Sequence, residues 1–163
     1  MQVSVLVNKL KINKYLIKKI NIYNINCLGT PQRAGFGGFI RNSAGCYLSG
    51  FSGFISNSED ILLAELSAIY YGLSLARDMH IAELVCHADS LLCIGLITGP
   101  AKNYHIYAAL IQDIKDMIHL SNVTIVHTLR EGNQCADFLA KMGASSYPDL
   151  SIHCLLCWNE WPS

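Results

Sequence analysis

LLAELSAIYYGLSLA, residues 62–76, sets Leu62, Leu66, Ile69, Leu73 and Ala76 at alternating spacings of four and three, which describes one face of a helix. A single acid stands in it. Glu65 falls beside Ala68, Ile69 and Gly72, at the edge of the apolar face, with no Lys or Arg three or four residues away on either side. A carboxylate next to an apolar stripe needs a partner, because an unpaired buried charge is costly. A shared cation is one solution; a salt bridge or a solvated edge position is another. Just upstream, Ser56 and Glu59 have capping-box spacing, with Asn57 or Ser58 as alternative caps. Glu59 and Asp60 suit the positive end of the helix dipole.

Outward from this helix the pattern alternates strands and helices. Ile81–His87 reads as a short apolar strand followed by Asp89 and by Ser90, which can cap a helix running to about Ile97. The carboxyl end of such a strand is where ligands gather in α/β sheets. Gly99 and Pro100 end that helix, Tyr104–Leu120 is another, Val123–Thr128 is a strand, and Cys135–Met142 is a short last helix. Upstream, residues 20–25 alternate with a period of two, Ala34–Arg41 and Cys46–Phe54 read as strands, and Asn42–Gly45 makes a tight turn. Connections this short force an antiparallel meander. The order βββαβααβα predicts an α/β fold: a mixed five-stranded sheet, three antiparallel strands then parallel crossovers, flanked by helices. Gly35, Gly37 and Gly38 lie in a strand with no helix after it, so they are read as sites of close packing rather than a phosphate cradle.

The 163 residues suit one domain, and 52% apolar content suffices for a core. The formal charge is zero but unevenly spread: Lys9, Lys11, Lys14, Lys18 and Lys19 precede any acid, whereas residues 31–163 carry seven basic and twelve acidic residues, a net of −5. An acidic body argues against tight nonspecific nucleic-acid binding by charge alone and suits carboxylates gathered around a divalent cation. Residues 1–19 read as an atypical basic leader with few packing contacts, residues 20–146 as the domain, and residues 147–163 as a tail. From Asn8 to Asn26 nearly every residue has a codon of A and T alone, which suggests AT-rich sequence recruited into the reading frame. Seven irregularly spaced cysteines read as reduced thiols in an intracellular, reducing compartment such as cytoplasm or nucleus. No run approaches the roughly 20 apolar residues of a membrane helix. His153, Cys154 and Cys157 suggest zinc, but a structural site needs four ligands, so zinc is disfavoured.

Four stretches, LGTPQRAGFGGFIRNSAG (28–45), LLAELSAIYYGLSLA (62–76), HADS (87–90) and HTLREGNQCADFLAKM (127–142), together resemble the ribonuclease H-like superfamily, and within it the plant retrotransposon-type ribonuclease H domains. The resemblance covers about residues 28–143 and keeps the family's order and spacing. It implies hydrolysis of RNA in RNA–DNA hybrids with two Mg²⁺ ions, Mn²⁺ being an alternative. Glu65, Asp89 and Asp137 match the second, third and fourth acids of that family, and His127, ten residues before Asp137, matches its mobile histidine. The first acid is the departure. Counted back without gaps from Leu28, it falls on Asn24, and the glycine after it on Ile25. A neutral amide binds divalent ions less well than a carboxylate, so the nuclease is expected to be impaired. The alternative is a non-catalytic remnant of a mobile-element protein acting as a binding or interaction module. Nucleic-acid contacts are expected from Thr30, Arg33, Arg41, Asn42, Lys102 and Arg130. The lysine-rich insertion of some members is missing, since residues 99–103 hold only Lys102. The implied partner is an RNA–DNA hybrid or other nucleic acid, with no membrane, and the chain is expected to be a monomer.

Overall fold

The structure, a computed structural model, describes residues 14–16, 21–23, 33–56, 60–100, 104–128 and 134–154. Two long strands, β3 (Arg33–Arg41) and β4 (Tyr47–Ser56), form an antiparallel hairpin. Asn42 closes it: its backbone N–H donates to the Cys46 carbonyl, its Oδ1 accepts from the Cys46 N–H at 2.9 Å, and Gly45 takes a positive φ of 84°. Ahead of the hairpin run two three-residue strands, β1 (Lys14–Leu16) and β2 (Asn21–Tyr23). Beyond it come α1 (Ile61–Asp78), β5 (Glu83–Ala88), α2 (Leu91–Thr98), α3 (Ala108–Leu120), β6 (Asn122–His127), α4 (Gln134–Ser145) and β7 (Leu150–Cys154). The expected α/β architecture is present: the sheet is mixed, with parallel pairing where helices intervene (β1–β5 and β5–β6) and antiparallel pairing elsewhere.

The sheet has seven strands rather than five, in the order β6-β5-β1-β3-β4-β7, with β2 also on β3. Two departures account for the difference. The first is at the leader. Lys14–Leu16, expected to pack poorly, is a central strand between β3 and β5: Leu16 pairs with Phe39 on one side and His87 on the other. Its partner on β3 then passes to β2, where Asn21 pairs with Gly35. Both short strands pair antiparallel with β3. β1 and β2 thus act as one interrupted first strand that begins earlier than its alternation suggests.

The second departure is at the tail. Residues beyond Tyr147, also expected to pack poorly, form β7 on the outer edge of β4, from Ser49↔Cys154 to Gly53↔Leu150.

Helix starts also shift. Asp60 caps α1, not Ser56, Asn57 or Ser58: its Oδ1 accepts the Leu63 N–H at 3.0 Å. Ser90 caps α2 as expected. Helix α3 begins at Ala108, since the residues before it turn: the Ala108 N–H donates to the His105 carbonyl and the Tyr107 N–H to His105 Nδ1. The helix stripe is largely as read, with Leu66, Ile69, Leu73 and Ala76 buried. The main core lies between the sheet and α1–α3, and includes Phe36, Ile40, Phe51, Leu66, Ile69, Cys86 and Ile114. Among the described cysteines, Cys86 and Cys93 are buried, whereas Cys46, Cys135 and Cys154 are exposed. Burial pushes the Cys86 thiol up to about 12. No described helix is long and apolar enough to cross a membrane.

Helix α4 covers β3 and β4 at backbone contact. A Cβ on Gly37 would lie 2.7 Å from the Ala140 nitrogen, and one on Gly143 would lie 2.3 Å from the Gly53 oxygen. These glycines are therefore packing glycines, as read. Overpacking typically costs 1–3 kcal/mol, and here the obstacle is backbone. Gly37→Val should accordingly lower stability by about 3 kcal/mol, measured by urea unfolding, while Gly45→Asn, in an open turn, should cost less than about 1 kcal/mol. Removing residues 1–16 takes out the strand between β3 and β5, so it should abolish cooperative unfolding; a thermal melt unchanged from full length would refute that placement.

Candidate functional site

Asp89 follows β5 directly and is half-buried. Leu84, Cys86 and Ala88 turn into the core, so Val85, His87 and Asp89 share the opposite parity. Parallel pairing sets Ala88 against His127, the last residue of β6. His127 therefore stands one strand over from Asp89 and one residue back, at the same end of the sheet; paired with Ala88, it projects to the face opposite Asp89 and is exposed. A cross-strand bond fixes the two strand ends: His87 Nδ1 and Thr128 Oγ1 are 2.7 Å apart, and the Thr128 N–H donates to the Ala88 carbonyl at 2.9 Å. The sequence reading passed over both His87 and Thr128. The parity that His87 shares with Asp89 was the available signal.

Glu65 is 8% exposed, deeper than the edge position read for it. Its helix is pinned at two places. Phe36 on β3 stacks on Tyr71, with ring centroids 5.2 Å apart. At the start of α1 the Tyr107 hydroxyl donates to Asp60 Oδ2, tying the first turn of α1 to the start of α3. That bond, with the Leu63 amide, holds the Asp60 carboxyl below the usual carboxylate range, and the bond raises Tyr107 in turn. The stabilisation is present above the ordinary carboxylate pKa and is lost as pH falls through the lowered one.

Asp137 rides on α4, whose placement is fixed by the glycine contacts with β3 and β4; its side chain lies outside the described residues, as do Asn24, Thr30, Lys102 and Arg130. Among the described residues, no three His, Cys, Asp or Glu side chains group closely enough to hold a metal ion.

Strand β3 serves as a ruler for the other expected contacts. Phe39 is level with Leu16 and His87, and Asp89 lies two residues past His87. Arg33 is six residues from Phe39 in the same direction, and Arg41 is two residues the other way. At about 3.3 Å per residue the two arginines flank the level of Asp89 by about 13 Å each, on opposite sides. They do not form one patch. Tyr23 pairs with Arg33, so the residue next to Asn24 also sits about 13 Å beyond the level of Asp89. Asn42 has a turn role, its Oδ1 being engaged by Cys46. On β7, His153 and Cys154 are successive residues of one strand and project to opposite faces, which does not suit a shared zinc.

The fold has clear counterparts. The ribonuclease H1 of the halophilic archaeon Halobacterium salinarum NRC-1 superposes with a TM-score of 0.66 at 19% identity, covering 81% of this chain and 96% of that one. The N-terminal ribonuclease H domain of Rv2228c from Mycobacterium tuberculosis gives 0.67 at 20% identity, over 82% and 94%. LC11-RNase H1, solved in complex with an RNA/DNA hybrid, gives 0.62 at 22% identity, over 73% and 91%. No curated protein matches the chain by sequence. The model of the reverse transcriptase-like family matches residues 23–143 of the 163, and the chain, with its ribonuclease H-like fold, belongs to that family.

Proposed function

We propose that the chain is a nucleic-acid-binding ribonuclease H-like domain whose nominal reaction is hydrolysis of the RNA strand of an RNA–DNA hybrid, and whose catalysis is impaired. The observation that carries this reading is the family match over residues 23–143, with Asp89 at the carboxyl end of β5, on a fold shared with a ribonuclease H1 solved on such a hybrid.

Glu65, Asp89 and Asp137 are the residues that would hold divalent metal. They offer oxygen donors alone, which fits Mg²⁺ or Mn²⁺ better than a soft metal. When bound, such ions activate water and stabilise the leaving oxygen of a phosphodiester. The chain's own residues do the rest. His127, exposed at the end of β6, would exchange a proton with the cleaved strand. The His87–Thr128 bond holds the β5 and β6 ends that carry Asp89 and His127. Arg33 and Arg41, on either side of the level of Asp89, would contact phosphates along a strand rather than at a single point, with Thr30, Lys102 and Arg130 as further contacts. The neutral Asn24 favours a second reading, a domain that binds hybrid as a retroelement-derived module without cutting it.

A hybrid-cleavage assay with Mg²⁺ and with Mn²⁺ tests both readings. Cleavage should be on the order of a thousandfold below that of a four-acid relative, since a missing metal ligand removes several kcal/mol of transition-state stabilisation. Asp89→Asn should abolish what remains while leaving hybrid binding within a few-fold. A rise of tenfold or more in Asn24→Asp, or in Asn24→Asp with Ile25→Gly, would assign the first-acid position to residue 24. Binding with no Asp89-dependent cleavage in either metal would leave the non-catalytic reading, and the absence of hybrid binding would overturn the proposal.

A further inference from the structure

β7 lies outside the residues matched by the family, yet β4 meets it with more than a backbone ladder. Three side chains of β4 converge on one residue. Tyr47 Oη donates to the His153 carbonyl at 2.7 Å, Ser49 Oγ donates to the same carbonyl at 3.2 Å, and Ser52 Oγ lies 2.8 Å from His153 Nε2. Ser49 and Ser52 are 4% and 1% exposed, and hydroxyls that deep are satisfied by specific partners. His153 pairs with Gly50. A Cβ on Gly50 would come within 2.7 Å of the Tyr47 hydroxyl, so the glycine makes the notch in which that hydroxyl reaches the strand. By contrast, the apolar side chains of β7 contribute little, since Leu150 and Ile152 are 37% and 47% exposed. The residues joining α4 to β7, Tyr147, Pro148 and Asp149, are exposed and irregular. The segment is thus held by its ladder and by His153 rather than by apolar burial.

We propose that the β4 edge is a strand-docking site for a histidine-bearing extended segment, filled by the chain's own Leu150–Cys154, and that it retains the segment only while His153 is neutral. The histidine is half-buried against neutral hydroxyls. The titratable and charged groups on the elements around it are Tyr47 on β4, Cys135, Asp137 and Lys141 on α4, and Asp149 and Cys154 on its own segment. Tyr47 reaches it through the carbonyl, not the ring. Burial lowers the His153 pKa below its ordinary value of 6.5, as desolvation does for a group that becomes charged on protonation. Docking is therefore full above pH 6.5 and weakens as pH falls through the lowered value, because the released segment takes up the proton more readily. Release would bare the β4 edge, whose N–H and C=O groups can pair with another strand.

The test is hydrogen exchange on the full chain at pH 7.5 and pH 5.0, corrected for intrinsic rates. Protection of the amides of residues 150–154 should fall tenfold or more at the lower pH, while the β3–β4 ladder keeps its own. His153→Gln, which can still bond to Ser52 but does not titrate, should show equal protection at both values. Unchanged protection in the wild type, or an equal fall in His153→Gln, would overturn the proposal. If His153→Gln fails to dock even at pH 7.5, the NMR titration of the wild-type ring decides. A midpoint below 6.5 that coincides with loss of protection supports the switch, and a midpoint at or above 6.5, or loss of protection at another pH, refutes it.

Discussion

The contact on which the fold most depends is the approach of α4 to the sheet. A helix normally stands off a sheet by the thickness of two layers of side chains. Here Gly35 and Gly37 on β3 and Gly143 on the helix, which lies against the Gly53 backbone, remove those layers, and backbone meets backbone. The small second core of Phe39, Ala136 and Leu139, with Tyr47 and Met142 against it, fills the rest of the interface. Close contact of this kind tolerates little rotation or sliding, since any side chain added at the seam overlaps main-chain atoms. It therefore fixes where the first turn of α4, which carries Asp137, stands over the sheet. On the other face, ordinary side-chain packing suffices for α1–α3, and the Phe36–Tyr71 stack links that layer to β3. β3 thus carries the register of both layers.

The elements easiest to read from sequence are those in which one residue pattern has one physical cause. Leu66, Ile69, Leu73 and Ala76 are buried because a helix on a sheet must bury one face, and period and face coincide. Ser90 caps α2 because its hydroxyl accepts the Cys93 N–H of the first turn. Asp60 was misjudged because three residues before it have equal capping chemistry. The choice among them is made by Tyr107, 47 positions away, which engages the second carboxylate oxygen. Local sequence cannot carry that information. The same holds for β1 and β7. Lys14–Leu16 has no alternation to speak of, and its strand state comes from neighbours on both sides. Ser151 and His153 have poor credentials as strand residues until Ser49, Ser52 and Tyr47 supply partners.

The candidate site was legible to a similar degree and for similar reasons. Asp89 at the end of an apolar strand needs only the local pattern, and the parallel register then sets His127 at the same end of the sheet. Glu65 was recognised as an acid on an apolar stripe, but its depth depends on α1 lying against the sheet, which periodicity alone does not give. The position of the first acid was counted along the chain without gaps. Residues 24–32, over which that count runs, lie outside the described residues, so Asn24 stays an expectation.

The limits of the family match and the limits of the hydrogen-bonded sheet differ, and the difference is physically instructive. The match runs from Tyr23 to Gly143, yet Lys14–Leu16 lies at the centre of the sheet and Leu150–Cys154 at its edge. A central strand has ladder partners on both sides, so its backbone groups are satisfied whatever its side chains are. Such a strand can drift in sequence while its place in the sheet stays fixed. An edge strand has a ladder on one side only, and what distinguishes it from any other extended segment is side-chain recognition. That is why the strand inside the sheet is nearly featureless in composition, whereas the strand outside it is held by three specific bonds to one histidine. In this chain the boundary of the folded unit is set by where backbone groups find partners rather than by where motif residues stop.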